Sequence, residues 1–294
     1  MKNFNLDYLQ TFVAVIRHGS FSAAAERLDL SQPAVSQQIR QLERSLGAPL
    51  VERTGRRARA TAAGQELLGH AAQIEAAVDA AVAAVARRGG SAAGRVRLGT
   101  GATACIFLLP AVLKDLRKRF PALEITVSTG NTAEIIKAVE DNLLDVGLVT
   151  MPVAGRMFDI TPVLDDEFVL LAPPGMALPA KVTAATLADL PVLLFEPGGN
   201  TRRIADDWFA RAGVRLAPVM SLGSVEAIKE LVAAGLGCAI LPGMAVPQGK
   251  LKGGVTVRAL SPRLHRRLAV VIRRDKRLHA GLSDVVRSLQ ALGK

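Results

Sequence analysis

Residues 20–50 read SFSAAAERLDLSQPAVSQQIRQLERSLGAPL, and the spacing of their apolar side chains decides how the amino-terminal part of the chain folds. Two short helical patterns flank a tight corner at Leu28-Asp29-Leu30. The second begins at Ser31, a good amino-terminal cap, and carries Pro33 in its first turn, where a missing N–H costs little. Val35, Ile39, Leu42 and Leu46 recur at spacings of four, three and four, which places them on one buried stripe. Pro33, Ser36, Gln37, Arg40, Gln41 and Arg44 fall outside that stripe. An exposed face of Gln, Ser and Arg suits the major groove, because Gln pairs both edge atoms of adenine and Arg pairs guanine or phosphate. Many amphipathic helices turn such a face to water, so the neighbouring segments have to decide.

Residues 6–16 supply an earlier amphipathic helix, and Gly19-Ser20 breaks and recaps the chain before Ala23-Ala24-Ala25, three small residues that let helices cross closely. After the second pattern, Gly47-Ala48-Pro49 stops the run and Leu50-Val51 opens a strand. A basic loop follows, Arg53-Thr54-Gly55-Arg56-Arg57-Ala58-Arg59. Helix, helix, reading helix and basic hairpin compose a winged helix-turn-helix, whose wing arginines lie along phosphates or enter the minor groove.

Residues 4–68 resemble the amino-terminal domain of the LysR-type transcriptional regulators. The resemblance rests on Leu9-Gln10-Thr11-Phe12, Gly19-Ser20-Phe21-Ser22-Ala23-Ala24-Ala25 and Leu30-Ser31-Gln32-Pro33-Ala34-Val35-Ser36. Further on it rests on Ile39-Arg40-Gln41-Leu42-Glu43, Leu46-Gly47, Glu52-Arg53 and Thr61-Ala62-Ala63-Gly64. Val51 stands where the family usually has Phe, and Ala60 where it usually has Leu; both stay apolar and bear on packing of the wing. The resemblance implies that Gln32, Pro33, Ser36 and Gln37 approach bases, that Arg53 serves the wing, and that Arg40 and Arg56 sit on phosphate. It also implies a fold for the whole chain: a winged helix-turn-helix, a long linker helix, then a periplasmic-binding-protein-like α/β effector domain of two subdomains. The partners it implies are double-stranded DNA with inverted-repeat sites, a small-molecule effector, a second or further copies of the chain, and RNA polymerase.

The length of 294 residues accommodates about two domains with ample apolar cores. The net charge of +11 is unevenly distributed. Residues 1–60 hold nine Lys/Arg against five Asp/Glu, whereas residues 263–277, RLHRRLAVVIRRDKR, hold seven against Asp275 alone. The latter cluster reads as a strand whose charged ends form a solvated edge, so overall charge supports nucleic-acid contact only weakly. Cys105 and Cys238 lie in apolar surroundings without CxxC spacing and read as small buried hydrophobes. The histidines at 18, 70, 265 and 279 have no ligand spacing, so no metal is expected. Asp7 interrupts the start MKNFNLDYLQ, and Gly and Pro interrupt the uncharged run 231–249, so the expectation is a cytoplasmic protein without a membrane span.

Residues 61–88 are alanine-rich and free of proline. Leu67, Ala71, Ile74, Val78, Ala81 and Val85 alternate at four and three residues, an a/d seam expected to pair with a second copy because no core of its own is evident. Residues 87–91, RRGGS, are expected to end it in a flexible joint. From Gly94 onward, strands and helices alternate, which predicts α/β with a parallel sheet. Strands are expected at 95–99, 123–128, 145–150, 168–172, 192–195, 216–221, 237–241, 255–260 and 268–273. Helices are expected at 107–120, 132–142, 202–212, 225–234 and 278–292. The resemblance returns the last strand and helix to the first subdomain and leaves two crossover strands, near 160–164 and 261–267, as a hinge. The domains are then 1–60, 61–89, 94–162 with 267–294, and 163–266.

Gly99-Thr100-Gly101-Ala102-Thr103-Ala104 matches GxGxxA after a strand, but the acidic partner that would hold a ribose is misplaced: Glu124 opens the next strand, whose end is Ser128-Thr129-Gly130. No cofactor is expected, and GxxxxGK[ST], GxSxG and HExxH are absent from the sequence. The same loop suits a simpler task. Residues 100–103, 128–131, 198–201 and 221–224 all lie where strands lead into helices, the edge that lines the crevice of open α/β sheets. Thr100, Gly101, Ala102, Thr103, Thr129, Asn131, Thr201 and Ser224 are expected to fix a small anion through hydroxyls and helix N–H groups, with Arg202 as counter-charge. Each of these singly is also a common helix cap. The expectation is a regulator that reads DNA and is tuned by a small anionic metabolite, not an enzyme. The alternatives left open are a constitutive DNA binder with a vestigial cleft and a small-molecule-binding or enzymatic α/β protein.

Overall fold

The computed structural model describes residues 4–54, 57–86, 94–246 and 253–293. By internal contacts the chain divides into two compact units, Met1–Asp79 and Ala80–Lys294.

In the first unit, α1 (Leu6–His18) starts on Asn5, whose side chain accepts from the Asp7 N–H, and ends on Gly19 in the left-handed region. Ser20 caps α2 (Phe21–Leu28), and Asp29 closes it at φ 55°, the corner expected from Leu28-Asp29-Leu30. Ser31 accepts from the Ala34 N–H to cap α3 (Gln32–Leu46), with Pro33 in the first turn as the sequence predicts. Val35, Ile39 and Leu42 are buried, and with Leu9, Phe12, Val15 and Ala24 they form the core of this unit. Each such side chain taken from water contributes about 1.5–3 kcal/mol. Strands β1 (Val51–Thr54) and β2 (Arg57–Ala60) pair antiparallel as the wing. Two contacts fix its base: Glu43 Oε1 accepts from the N–H groups of Leu50 at 2.8 Å and Val51 at 3.3 Å, and the Ala58 N–H donates to the Gly19 carbonyl at 2.9 Å.

Helix α4 (Ala62–Ala86) begins on Thr61, whose hydroxyl accepts from the Gly64 N–H and donates to the Pro49 carbonyl. Its seam departs from expectation. Ala71 is part of the winged core, and Leu67 and Ile74 pack against it, so the first half of the seam does have a core of its own chain to cover. Val78 and Ala81 are exposed; the Val85 side chain and the joint at 87–91 lie outside the described residues.

In the second unit the elements are β3 (Gly94–Thr100), α5 (Ala102–Phe107), α6 (Leu109–Arg119), β4 (Leu123–Thr129), α7 (Thr132–Glu140), β5 (Val146–Thr150) and β6 (Phe158–Ala172). Then follow α8 (Ala184–Ala188), β7 (Val192–Phe195), α9 (Asn200–Arg211), β8 (Met220–Leu222), α10 (Val225–Ala233), β9 (Cys238–Pro242), β10 (Thr256–Ala259), β11 (His265–Arg273) and α11 (Ala280–Gln290). The strands lie in the order β4-β3-β5-β11-β6-β9-β7-β8, with β10 paired to β6. The sheet is mixed rather than parallel. Strands β3, β4 and β5 are mutually parallel, as are β7, β8 and β9, while β6 and β11 run antiparallel to their neighbours.

The expected crossover near 160–164 and the expected strand 168–172 are one continuous strand, β6, and the crossover at 261–267 merges into β11 from His265. The expected helix 107–120 is α6, which starts at Leu109; the short α5 before it was not expected, and the two are separated at Leu108, because Pro110 in the first turn of α6 has no N–H to continue α5. The expected strand 216–221 shortens to β8, and α8 was not expected.

One apolar cluster joins Val96, Leu98, Leu116, Leu148 and Leu282; a second joins Phe168, Leu170, Trp208, Phe209 and Ile240. Beside the first lies a charged knot. The Asp145 carboxylate accepts from the Arg97 N–H at 2.8 Å, from Arg97 Nη2 at 3.1 Å and from Lys276 Nζ at 2.7 Å. Burial alone raises this carboxyl's pKa, but the bonds from Arg97 and Lys276 outweigh it and hold the group below its ordinary range. Lys276 and Arg266 therefore correct the reading of residues 263–277 as a solvated edge: both are engaged with buried carboxylates.

Two stability outcomes follow from these contacts. A Cβ on Gly64 would overlap the Leu50 carbonyl oxygen, so Gly64→Ala is expected to destabilise the winged unit by about 1–3 kcal/mol in urea unfolding. Asp145→Ala leaves two largely buried cations without their carboxylate and is expected to cost about 3 kcal/mol. Because the folded pKa of Asp145 is depressed, its stabilisation is complete above the unfolded value of about 4 and is lost as pH falls below it. Unfolding curves of parent and variant should therefore converge on acidification; a constant gap would contradict the role given to this carboxylate.

Candidate functional site

Two surfaces carry the sequence-predicted functional residues, one in each unit. On α3, Gln32, Pro33, Gln37 and Arg40 are exposed and Ser36 is half-buried on the same side. Gln32 Nε2 donates to Ser36 Oγ at 3.0 Å, an i,i+4 bond that orders two of the expected base-reading side chains. Among the described residues, Gln37 and Arg40 have no hydrogen-bond partner, so their polar heads are available. Gln38, one position on, is used internally: its Oε1 accepts from the Thr11 hydroxyl at 2.5 Å and ties α3 to α1. The side chain of Arg53, and Arg56 as a whole, lie outside the described residues.

In the α/β unit, a cavity of about 310 Å³ opens where β3, β4 and β7 lead into their helices, beside the end of β5. Gly101, Ala102, Thr103, Thr129, Asn131, Thr201 and Arg202 all line it, brought together from three strand-to-helix junctions. Two expected members stand elsewhere. Thr100 is fully buried, and its hydroxyl donates to the Leu148 carbonyl at 2.8 Å, where it ties β3 to β5. Ser224 is the cap of α10, accepting from the Ala227 N–H.

Several lining groups are already engaged. Asn131 and Glu134 form a reciprocal capping box on α7. Arg202 does not supply the free counter-charge expected of it: Nε bonds Asp206 at 2.8 Å, and Nη1 bonds the Phe195 carbonyl at 2.6 Å and Ser221 Oγ at 3.2 Å. The first residue of α9, Asn200, donates through Nδ2 to the Thr150 carbonyl at 2.6 Å and to the Pro152 carbonyl at 3.2 Å, so it pins that helix to the end of β5.

Sequence reasoning missed a buried, charged component of the wall. Arg266 lines the cavity from β11 although its side chain is only 4% exposed. Its Nε bonds Asp166 at 2.9 Å, its Nη1 bonds the Thr201 hydroxyl at 3.1 Å, and its ring neighbour is Phe168 at 5.9 Å. Burial lowers its pKa, with Asp166 opposing. A signal was present in the sequence: Leu264, Arg266, Leu268 and Val270 alternate on one strand face, so an arginine occupies a position that the period assigns to the core. Asn200 and Glu196, which also line the cavity, carried no comparable signal.

Residues 6–65 match the family model of the bacterial regulatory helix-turn-helix proteins of the lysR family, and residues 89–294 match that of the LysR substrate binding domain. The chain belongs to the LysR family of bacterial transcriptional regulators. It pairs a DNA-binding head with an effector-binding domain in the manner of that family. A LysR-family relative from Mycobacterium avium, a probable hydrogen peroxide-inducible genes activator, is 36% identical over 97% of this chain and 91% of its own length. A full-length OxyR variant from Pseudomonas aeruginosa superposes with a TM-score of 0.72 over 99% of this chain and all of the other, at 23% identity, a likeness of fold. The CcmR regulatory domain from Synechocystis, solved in complex with 2-PG, aligns at 25% identity and a TM-score of 0.62 over 68% of this chain and 97% of its own.

Among the described residues, no helix is long and apolar enough to cross a membrane, and no three His, Cys, Asp or Glu side chains gather as a metal site. The exposed polar edge of α3 generates a direct expectation. Ser36→Ala and Gln37→Ala each reduce discrimination between cognate and mismatched DNA by about 1–3 kcal/mol, with folding unchanged. Competition binding measures this, and variants that discriminate as well as the parent would remove these residues from base reading.

Proposed function

We propose that the chain reads inverted-repeat sites in double-stranded DNA as a homodimer or homotetramer and is modulated by a small anionic metabolite held in the α/β cavity. Gln32, Pro33, Ser36 and Gln37 take the base edges, and Arg40, Arg53 and Arg56 the phosphates and wing contacts. Helix α4 presents Val78 and Ala81 to a second copy, while Leu67, Ala71 and Ile74 serve mainly the winged core. Residues 1–60 are the reading head, 61–89 the linker, 94–162 with 267–294 one effector subdomain and 163–266 the other. RNA polymerase is the downstream partner in this reading.

The observation that carries the effector reading is the convergence of Thr103, Thr129, Asn131 and Thr201 on one cavity from three separate junctions. Its volume of about 310 Å³ suits a metabolite of few heavy atoms. Its polar groups are hydroxyls, helix caps, two guanidinium groups and the carboxylates of Glu134 and Glu196, a set able to orient a small polar ligand. A regulatory domain similar to this one is solved with 2-PG, which supports a small-molecule signal.

The Mycobacterium relative's name raises peroxide as a second signal. The thiols here disfavour it. Cys238 is fully buried in a core cluster, and burial pushes its pKa up to about 11, which leaves about one thiolate in ten thousand at neutral pH. Cys105 is half-buried against the other cluster.

Binding to a fragment carrying the upstream region of the protein's own gene, at physiological salt, is expected to exceed binding to a scrambled fragment by orders of magnitude. Equal affinity for the two would sink the sequence-specific reading. Treatment with hydrogen peroxide is expected to leave that affinity unchanged; a loss restored by a thiol reductant would favour the oxidant signal instead.

A further inference from the structure

Arg266, on the cavity wall, carries a charge that the surrounding protein leaves incompletely used. A guanidinium presents five N–H donors in a planar fork, and a facing carboxylate ordinarily takes two of them in parallel. Here Asp166 takes only one. Its Oδ2 accepts from Arg266 Nε at 2.9 Å, while its Oδ1 is turned to the Met244 N–H at 3.0 Å. Nη1 is spent on Thr201 at 3.1 Å. Nη2 is buried and has no hydrogen-bond partner among the described residues. Leaving a buried charged donor unpaired is costly, and buried donors are nearly always satisfied.

A second, independent feature meets it. Helix α9 starts on Gly199, which has no side chain to cap it, and Gly199, Asn200, Thr201 and Arg202 of its first turn all line the cavity. By contrast α7, across the same cavity, is closed by the Asn131–Glu134 box. An uncapped helix amino terminus offers free N–H groups and partial positive charge to an anion. Because Thr201 belongs to that turn and also receives Nη1, the guanidinium and the helix start adjoin one another.

We propose that Arg266 Nη2 and the uncapped start of α9 form an oxyanion receptor for the carboxylate or phosphate head of the effector, with Arg266 as the residue that selects a charged ligand over a neutral one. This rests on reading the cavity as the effector site. The receptor also ties ligand charge to the frame: Arg266 sits on β11 opposite Asp166 of β6, so an oxyanion on Nη2 shares one guanidinium with the ion pair that joins those strands. Glu134 and Glu196 line the same cavity. They restrict the ligand to one charged end, with a neutral, hydrogen-bonding remainder.

The test uses the full-length protein and fluorine NMR, with trifluoroacetate as a carboxylate probe, trifluoroacetamide as its neutral isostere, and inorganic phosphate as competitor. The parent is expected to bind trifluoroacetate and not the amide. Arg266→Gln is expected to weaken that binding on the order of 10- to 100-fold, the worth of one charged hydrogen bond. Displacement by phosphate at lower concentration than by unlabelled acetate assigns a phosphate head, and the reverse order a carboxylate.

Thr129→Val, on the opposite wall, separates the two levels of the argument. Binding that falls in Thr129→Val but persists in Arg266→Gln overturns the receptor while the cavity reading stands. Binding unchanged in both variants places the anion outside the cavity and overturns both. No binding to the parent overturns the receptor. If Arg266→Gln does not fold, a crystal structure of the parent with phosphate decides the same point. An oxyanion bonded to Nη2 is expected, and an oxyanion elsewhere, or none, overturns the proposal.

Discussion

Strands β6 and β11 exchange an antiparallel ladder that runs from Phe158 opposite Arg273 to Glu167 opposite His265, with one register shift at Leu268/Ala269. Beyond that ladder, β6 continues to pair with β9 and β10, while β11 pairs on its other edge with β5. Among the described residues, the group β3, β4 and β5 is therefore joined in the sheet to the group β7, β8 and β9 through this ribbon. Its acidic and basic residues face each other in order: Asp165 with Arg267 and Asp166 with Arg266. The first pair is exposed and contributes little. The second is buried, where removing one partner costs far more than the pair itself contributes. This constraint places a charge at the floor of the cavity and fixes the geometry in which everything else lines it.

The cavity walls obey a simpler rule. Parallel strands that end in helices present hydroxyls and N–H groups at their carboxyl edges, whatever the ligand. That rule was readable from Gly99-Thr100-Gly101, Ser128-Thr129 and Gly198-Gly199, and it located most of the cavity wall. It failed at Thr100 and Ser224 because a hydroxyl near a helix start has competing uses, and here the Leu148 carbonyl and the α10 cap took them. It failed for Arg202 because an i,i+4 carboxylate, Asp206, was closer than any ligand.

The reading head was almost fully legible. Its caps, its turn residues and its 3.6-residue period are local, and each agrees with the others at Ser20, Asp29, Ser31 and Gly47. The ribbon was not, because the length of β6 depends on partners about a hundred residues away in sequence, and a polar stretch such as Asp165-Asp166-Glu167 reads as loop until His265-Arg266-Arg267 is set against it. Helix α4 shows the same limit. A seam of Leu67, Ala71 and Ile74 looks identical whether it meets a second chain or its own domain, and only the fold reveals the core beneath it.

A regulator of this construction works only if the ligand and the operator bias the same conformational equilibrium. Thermodynamic linkage then makes the coupling reciprocal. The decisive measurement is the affinity of the metabolite, identified by native mass spectrometry of protein purified from its host, for the full-length chain with and without saturating operator DNA. The two affinities should differ by about 5- to 150-fold, and by the same factor with which the metabolite alters operator affinity. Identical metabolite affinities in the two states would contradict the coupling of cavity to reading head.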